Sequence, residues 1–135
     1  MTRNTVFGII CIFACGCDGF GPGLTDFSAD FGNGCELYQS SAQVVEISVD
    51  KSLDPKNCVP AKVVECGYNV KFVIAKQQKL DAKGTPIHGE YQYWIVDAQQ
   101  KKRYGPFSVN EFTAKRKELG VPDSIKLRSA NSFRK

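Results

Sequence analysis

The chain has 135 residues, of which 18 are Lys or Arg and 14 are Asp or Glu, giving a formal net charge of +4. This length suits one modest domain with its own core, and no second domain is needed. The net charge is too small to indicate a nucleic-acid-binding protein.

The N-terminus has the layout of a secretory signal peptide. Arg3 precedes an uncharged apolar run from Val6 to Ala14, and small residues follow that run. A membrane span needs roughly 20 apolar residues, so this run is too short to be one. We therefore interpret residues 1–16 as a signal peptide of the lipoprotein type and residues 17–25, which are rich in glycine, as a flexible tether.

A lipoprotein signal ends where a cysteine that follows small residues becomes the acylated first residue of the mature chain. Cys17 follows Gly16 and is the predicted lipidation site, and Cys15 is the alternative. A metal site fits less well, because spacings of four and two without a histidine match no usual zinc pattern. A buried N-terminal strand, with the cysteines acting as small hydrophobes, is the other interpretation. The lipoprotein is favoured, and it places the protein in the bacterial cell envelope, anchored to a membrane on its periplasmic or extracytoplasmic face.

This compartment decides how the remaining cysteines are interpreted. If Cys17 is acylated, the mature chain retains Cys35, Cys58 and Cys66. An oxidising envelope favours pairing of two of them. We expect one disulfide among these three residues, and the sequence leaves the pair open.

Beyond the tether the chain alternates polar and apolar residues with a period of two, which is typical of strands. A doubtful edge strand at residues 24–31 and a short one at 35–39 come first. Val45, Ile47 and Val49 then share one face of a strand. Further strands are predicted at 61–66, at 69–76 with Val70, Phe72 and Ile74 on one face, and at 90–97. Short turns between these runs make neighbouring strands antiparallel.

The strand at 90–97 is apolar on both faces. Tyr91, Tyr93 and Ile95 alternate with Gln92, Trp94 and Val96. This pattern favours a central strand covered on both sides.

A helix is predicted after the last strand. Ser108 and Glu111 form a Ser-x-x-Glu capping box, and Gly120 followed by Pro122 supplies the stop. Val109, Phe112, Arg116 and Leu119 form one stripe that can rest on the sheet. The predicted fold is α+β, a mainly antiparallel β-sheet packed by one C-terminal helix, with a single domain at 26–125.

Charge is unevenly distributed along the chain. Residues 101–135 carry ten basic and three acidic side chains, whereas residues 1–100 carry eight basic and eleven acidic ones. We interpret residues 126–135 as a basic tail. Anionic lipid headgroups attract such segments, although a solvated helix face with a frayed end is the simpler interpretation.

Several stretches resemble a family of short, uncharacterised bacterial lipoproteins. They are "ELYQSSAQVVEI", "VPAKVVECGYNVKFVIAKQ" and "YQYWIVDAQQKKRYGPFSVNEFTAKRKELGV", in that order, and they cover most of the mature chain. The resemblance implies a cellular location and a fold and implies no chemistry. Cys35 and Cys66 stand where that family has aromatic or aliphatic residues, which suggests a disulfide private to this branch.

A second likeness is confined to "YWIVDAQQKKRYGPFSVNEF". It is similar to the opening of the small peptide-binding domains named for a Gly-Tyr-Phe signature, which hold proline-rich segments. The Gly-Tyr-Phe signature itself is absent. A hairpin followed by a capped helix can also produce this stretch for folding reasons alone.

No constellation in the sequence indicates catalysis. His88 is the sole histidine and has no second histidine or nucleophile beside it in the sequence. We expect no enzyme activity, no cofactor, no metal and no nucleic-acid partner.

We predict a monomeric, membrane-anchored lipoprotein that binds or inhibits an envelope protein or glycan, in the manner of an immunity protein. A structural lipoprotein that uses its basic C-terminal end for assembly or membrane contact is the alternative, and a peptide-binding module of the Gly-Tyr-Phe type is a third. The predicted partner surface is aromatic and consists of Tyr91, Tyr93, Trp94, Tyr104 and Phe107.

Overall fold

The structure is a computed structural model that describes residues 27–52 and 54–134. The predicted signal peptide, the lipidation candidates Cys17 and Cys15, and the glycine-rich tether lie outside these residues. The helices of the described part are too short or too polar to cross a membrane.

Three short strands form a small antiparallel sheet. They are β1 (Phe27–Asp30), β2 (Cys35–Gln39) and β3 (Val45–Val49), in the order β1-β2-β3. Phe27 lies opposite Gln39, and Cys35 lies opposite Val49. The predicted alternation is confirmed here, because Val45, Ile47 and Val49 are all buried. The doubtful edge strand is also real, since β1 forms one edge of this sheet.

Five strands form a larger antiparallel sheet in the order β7-β6-β5-β4-β8. The strands are β4 (Val63–Tyr68), β5 (Phe72–Leu80), β6 (Pro86–Asp97), β7 (Lys102–Phe107) and β8 (Arg128–Ser129). The predicted strand at 69–76 begins only at Phe72. Val70 is 75% exposed in the preceding turn, where the Asn69 side chain accepts hydrogen bonds from the backbone N–H groups of Lys71 and Phe72.

Apolar side chains cover both faces of the large sheet. On one face, Val73, Trp94 and Val96 join Leu37 and Ile47 of the small sheet in one buried cluster. On the other face, a second cluster contains Phe72, Ile74, Ile95, Phe112, Val121 and Ile125. The prediction that the 90–97 strand is central and covered on both sides is therefore confirmed. The α+β class is confirmed as well, with two sheets rather than one, because strands that are apolar on both faces need a second covering layer.

The helix α1 (Val109–Leu119) covers one face of the large sheet and begins as predicted. The Ser108 hydroxyl accepts a hydrogen bond from the Glu111 backbone N–H at 3.2 Å, and the Glu111 carboxylate accepts one from the Ser108 backbone N–H at 2.8 Å. Gly120 ends the helix in the left-handed conformation. The predicted stripe is wrong at Val109, which is 55% exposed, so the buried contact of the helix is made by Phe112.

Replacing Ser108 by alanine is expected to lower the free energy of unfolding by about 1 kcal/mol, because one N-terminal N–H group of the helix loses its acceptor. Urea denaturation followed by circular dichroism measures this change. Ser108→Asp keeps an acceptor and is expected to remain close to the parent. Equal stability of the alanine and aspartate variants would contradict a capping role.

The predicted basic tail at 126–135 is wrong as a description of this segment. Residues Arg128 and Ser129 form β8, which pairs with Glu65 and Cys66 of β4, and a 3-10 helix follows at Ala130–Phe133. Ala130 is buried, and Phe133 packs against the same cluster. Ala130 and Phe133 thus contribute to the core between the two sheets, and the folded domain extends beyond residue 125.

Candidate binding surface

The five aromatic residues of the predicted partner surface do not share one surface. Trp94 is 4% exposed and lies in the core between the two sheets. Its indole N–H donates to the Gln77 side-chain oxygen at 2.6 Å, and the Gln92 amide donates to the same oxygen at 3.0 Å. Trp94 is therefore a core residue, and its inclusion in a partner surface is wrong. Its polar atom has found a partner inside the protein, as buried indoles usually do.

Arg103 holds the buried tryptophan against the loop that precedes β4. Its guanidinium carbon lies 4.7 Å from the centre of the Trp94 ring. The same guanidinium donates to the carbonyl oxygens of Pro55 at 2.8 Å and Cys58 at 2.7 Å. This arginine thus has a structural role that the sequence did not reveal.

The other four aromatic residues lie on the face of the large sheet that carries α1. Tyr93, Tyr104 and Phe107 are half-buried around the helix, and the Tyr93 ring stacks on the Phe112 ring with centres 4.9 Å apart. A register shift in the β6–β7 pairing brings Phe107 opposite Tyr93 and Tyr104 opposite Ile95. Tyr104 and Phe107 therefore point to the same face although they are three residues apart. In a regular strand, residues three apart point to opposite faces.

Tyr91 lies farther along β6 and is 40% exposed. The Lys76 ammonium group lies 4.4 Å from the centre of the Tyr91 ring and 4.0 Å from a Glu65 carboxylate oxygen. In register, Lys76 lies opposite both Glu65 and Tyr93, and Tyr93 lies opposite Phe107. Directly opposed residues of an antiparallel sheet point to the same face.

These contacts define a row of side chains across four strands, which we call the aromatic row: Glu65, Lys76, Tyr91, Tyr93 and Phe107. It runs beyond the helix-covered part of the sheet and offers phenyl and phenol faces with one cation held among them. Such a row can stack on apolar side chains or sugar rings and can hydrogen-bond through its phenol groups. The sequence predicted Tyr91, Tyr93 and Phe107 as members of a partner surface. It did not predict Lys76 and Glu65, because their positions in the row depend on cross-strand register.

Among the described residues, the structure does not pair Cys35, Cys58 or Cys66 with one another. Cys35, Cys58 and Cys66 are all buried, and no two of these three residues lie within bonding distance. Cys35 lies in the small sheet and Cys66 in the large one, and both belong to the core cluster between the two sheets. Burial raises the pKa of Cys35 to about 11, with a contribution from the nearby Asp50 carboxylate. Burial also raises the pKa of Cys66 to about 12, although Arg128 opposes the rise.

These raised pKa values predict a loss of stability in alkali. Above pH 9 the unfolded chain releases the thiol protons that the folded chain retains, so the free energy of unfolding falls as pH rises toward the native pKa values of about 11 and 12. Each thiol contributes up to about 1.4 kcal/mol per pH unit to this fall. Urea denaturation of the parent, Cys35→Ala and Cys66→Ala at a series of pH values is expected to show a shallower decline in both variants. Parallel declines would contradict this assignment.

His88 lies on an exposed part of β6. Across 27–52 and 54–134, no group of three or more His, Cys, Asp or Glu side chains is placed to hold a metal ion.

No curated protein and no solved structure matches the chain. The model of one protein family, described as "Protein of unknown function (DUF3997)", matches residues 32–131. The matched part runs from just before β2 into the C-terminal 3-10 helix and therefore includes the helix, the large sheet and the whole aromatic row. Because this match covers well over half of the 135 residues, the chain belongs to this family of proteins of unknown function.

Proposed function

We propose that this protein is a lipid-anchored component of the bacterial envelope and acts as a non-catalytic binding module that holds or inhibits an envelope protein. The sequence layout at the N-terminus supports the anchor, with Cys17 as the residue that would carry the lipid. The observation that supports a binding role is the aromatic row, in which Tyr91 is 40% exposed although its ring is already held by Lys76.

Rigidity makes the aromatic row suited to recognition. The Lys76 ammonium group is held by the Glu65 carboxylate and the Tyr91 ring, and Tyr93 is held by its stacking on Phe112. Side chains that are ordered before binding lose little conformational entropy when a partner arrives. Tyrosine anchors of this kind dominate the free energy of many protein interfaces.

A proline-rich segment is the second candidate partner, and the shifted register of β7 favours it. This irregularity brings Tyr104 and Phe107 to the same face as Tyr93, beside the capped helix. Aromatic rings gathered on one face are the feature that binds polyproline helices. Titration with a proline-rich peptide, monitored through the NMR chemical shifts of Tyr93, Tyr104 and Phe107, distinguishes this partner from a folded protein.

Site-specific photo-crosslinking in cells tests the proposed surface. A photoreactive amino acid is placed at Tyr91 and, in a separate variant, at Tyr38, which is also 40% exposed but lies on the small sheet. We expect a crosslinked product of defined mass from position 91 and none of that mass from position 38. The product is expected to weaken when Lys76→Ala is added. Identical product patterns from both positions would overturn the assignment of the aromatic row.

A further inference from the structure

A cleft of about 390 Å³ opens where the small sheet meets β4 and the C-terminal 3-10 helix. We call it the edge cleft and define it by Gln39 and Val45 of the small sheet, Val63 of β4, and Ala130 and Asn131 of the 3-10 helix. One water molecule takes up only about 30 Å³ in the liquid, so the cleft can hold a much larger ligand. It shares no residue with the aromatic row.

Gln39 brings a buried polar side chain to the edge cleft. The residue is 8% exposed and shares the buried face of β2 with Cys35 and Leu37. Its carboxamide forms no hydrogen bond within residues 27–52 and 54–134, yet it is not fully enclosed, so a molecule in the cleft can reach it. Buried amides are nearly always hydrogen-bonded, and a carboxamide offers both a donor and an acceptor. Gln39 is therefore suited to pair with a ligand that carries an amide group.

The edge of β4 is open beside the same cleft. The Lys62 carbonyl accepts a hydrogen bond from the Gln78 backbone N–H at 2.8 Å. Because the C=O and N–H of one trans peptide group point in opposite directions, the Val63 N–H is directed away from β5. On that side, β8 pairs with β4 only at Glu65 and Cys66, and no backbone acceptor in the described part of the chain bonds the Val63 N–H. The edge cleft thus has a free backbone donor just beyond the end of β8.

We propose that the edge cleft binds an extended peptide segment of a partner, which adds to the edge of β4 in line with β8. A carbonyl of the segment accepts from the Val63 N–H, and a neighbouring peptide group exchanges hydrogen bonds with the Gln39 carboxamide. Strand addition of this kind derives its affinity from main-chain hydrogen bonds. Among the described lining residues Lys62 is the one charged side chain, so hydrogen bonding rather than charge selects the ligand. The proposal depends neither on the lipid anchor nor on the aromatic row.

Selection from a phage-displayed library of random heptapeptides against the full chain tests the proposal. A selected peptide is synthesised, and its Kd for the parent is compared with its Kd for Gln39→Leu, which keeps the size of the buried side chain and removes the carboxamide. We expect binding to weaken roughly tenfold, because two hydrogen bonds are lost. Gln99→Leu is the matched control, since Gln99 is exposed in the turn between β6 and β7, and it is expected to leave the Kd unchanged.

A second variant covers the case in which Gln39→Leu does not fold. Ala42 is exposed and also lines the cleft, so Ala42→Trp is expected to block entry of the peptide and abolish binding. In the parent, the bound peptide is expected to slow hydrogen exchange at the Val63 N–H. A library that yields no binding peptide, or peptides whose affinity survives both variants, would overturn the proposal. Peptides released by Tyr91→Ala instead would also overturn it and would assign peptide binding to the aromatic row.

Discussion

Replacing Trp94 by alanine is expected to lower the free energy of unfolding by about 4 kcal/mol, the range for deleting a large buried aromatic side chain. The ring fills the core between the two sheets, accepts the Arg103 guanidinium on its face and donates to Gln77. Its loss opens a cavity between the layers. Urea denaturation followed by far-ultraviolet circular dichroism measures the change.

Tyr91→Ala is the matched control for this substitution. Tyr91 lies on the same strand and is 40% exposed, so its removal is expected to change the free energy of unfolding by less than about 1 kcal/mol. The parent offers a second readout because Trp94 is the sole tryptophan. Its emission is expected to shift to longer wavelength on unfolding. Comparable losses in the two alanine variants, or emission typical of water in the native protein, would contradict the burial of Trp94.

Gly67→Ala is expected to destabilise the protein by about 2–3 kcal/mol through overpacking. A Cβ atom at Gly67 would lie 2.2 Å from the backbone carbonyl oxygen of Lys126, and that oxygen cannot move without shifting the chain. The segment that leads into β8 would be pushed away from β4. Hydrogen exchange is therefore expected to accelerate most in residues 126–133, and urea denaturation gives the overall loss.

Gly84→Ala controls for the intrinsic effect of adding a methyl group to a glycine. Gly84 has a φ of +84° and no atom within 4 Å of an added Cβ, so its cost is confined to backbone strain of about 1 kcal/mol. A Gly67 variant no less stable than the Gly84 variant would show that the C-terminal segment does not pack closely on β4.

Local patterns predicted much of this fold. The period-two alternation located β3 and the centre of β6, because one-residue steps in a strand reverse the face of each side chain. The Ser108–Glu111 capping box located the start of the helix, since both hydrogen bonds join residues close in sequence. Strand alternation and helix capping depend only on residues that are close in sequence. Both could therefore be predicted without knowledge of the tertiary structure.

Exposure could not be predicted in the same way. The alternation of Tyr93 with Trp94 shows that they lie on opposite faces, but it does not tell which layer covers each face. The indole is buried because the small sheet packs over it, whereas Tyr91 stays exposed beyond the helix. The register shift that brings Tyr104 and Phe107 to one face also breaks the regular alternation on which the prediction depended.

The C-terminal segment shows a different limit of sequence analysis. Its basic residues suggested a solvated tail, yet Ala130 and Phe133 pack into the core between the sheets. Two apolar residues in a short segment carry no periodicity, so their burial depends on the gap that the two sheets leave. The sequence also did not show that the three described cysteines are buried without pairing with one another. A thiol can be buried as a small apolar group, so its presence does not by itself indicate a disulfide.

The intact mass of the chain shows whether the proposed lipid anchor exists. The protein is expressed with its own N-terminus in a bacterial host, recovered from the membrane fraction and compared with a Cys17→Ser variant. We expect a chain that begins at Cys17 and carries acyl mass, and we expect the substitution to abolish that mass. An uncut chain that begins at Met1 and carries no acyl group would contradict it.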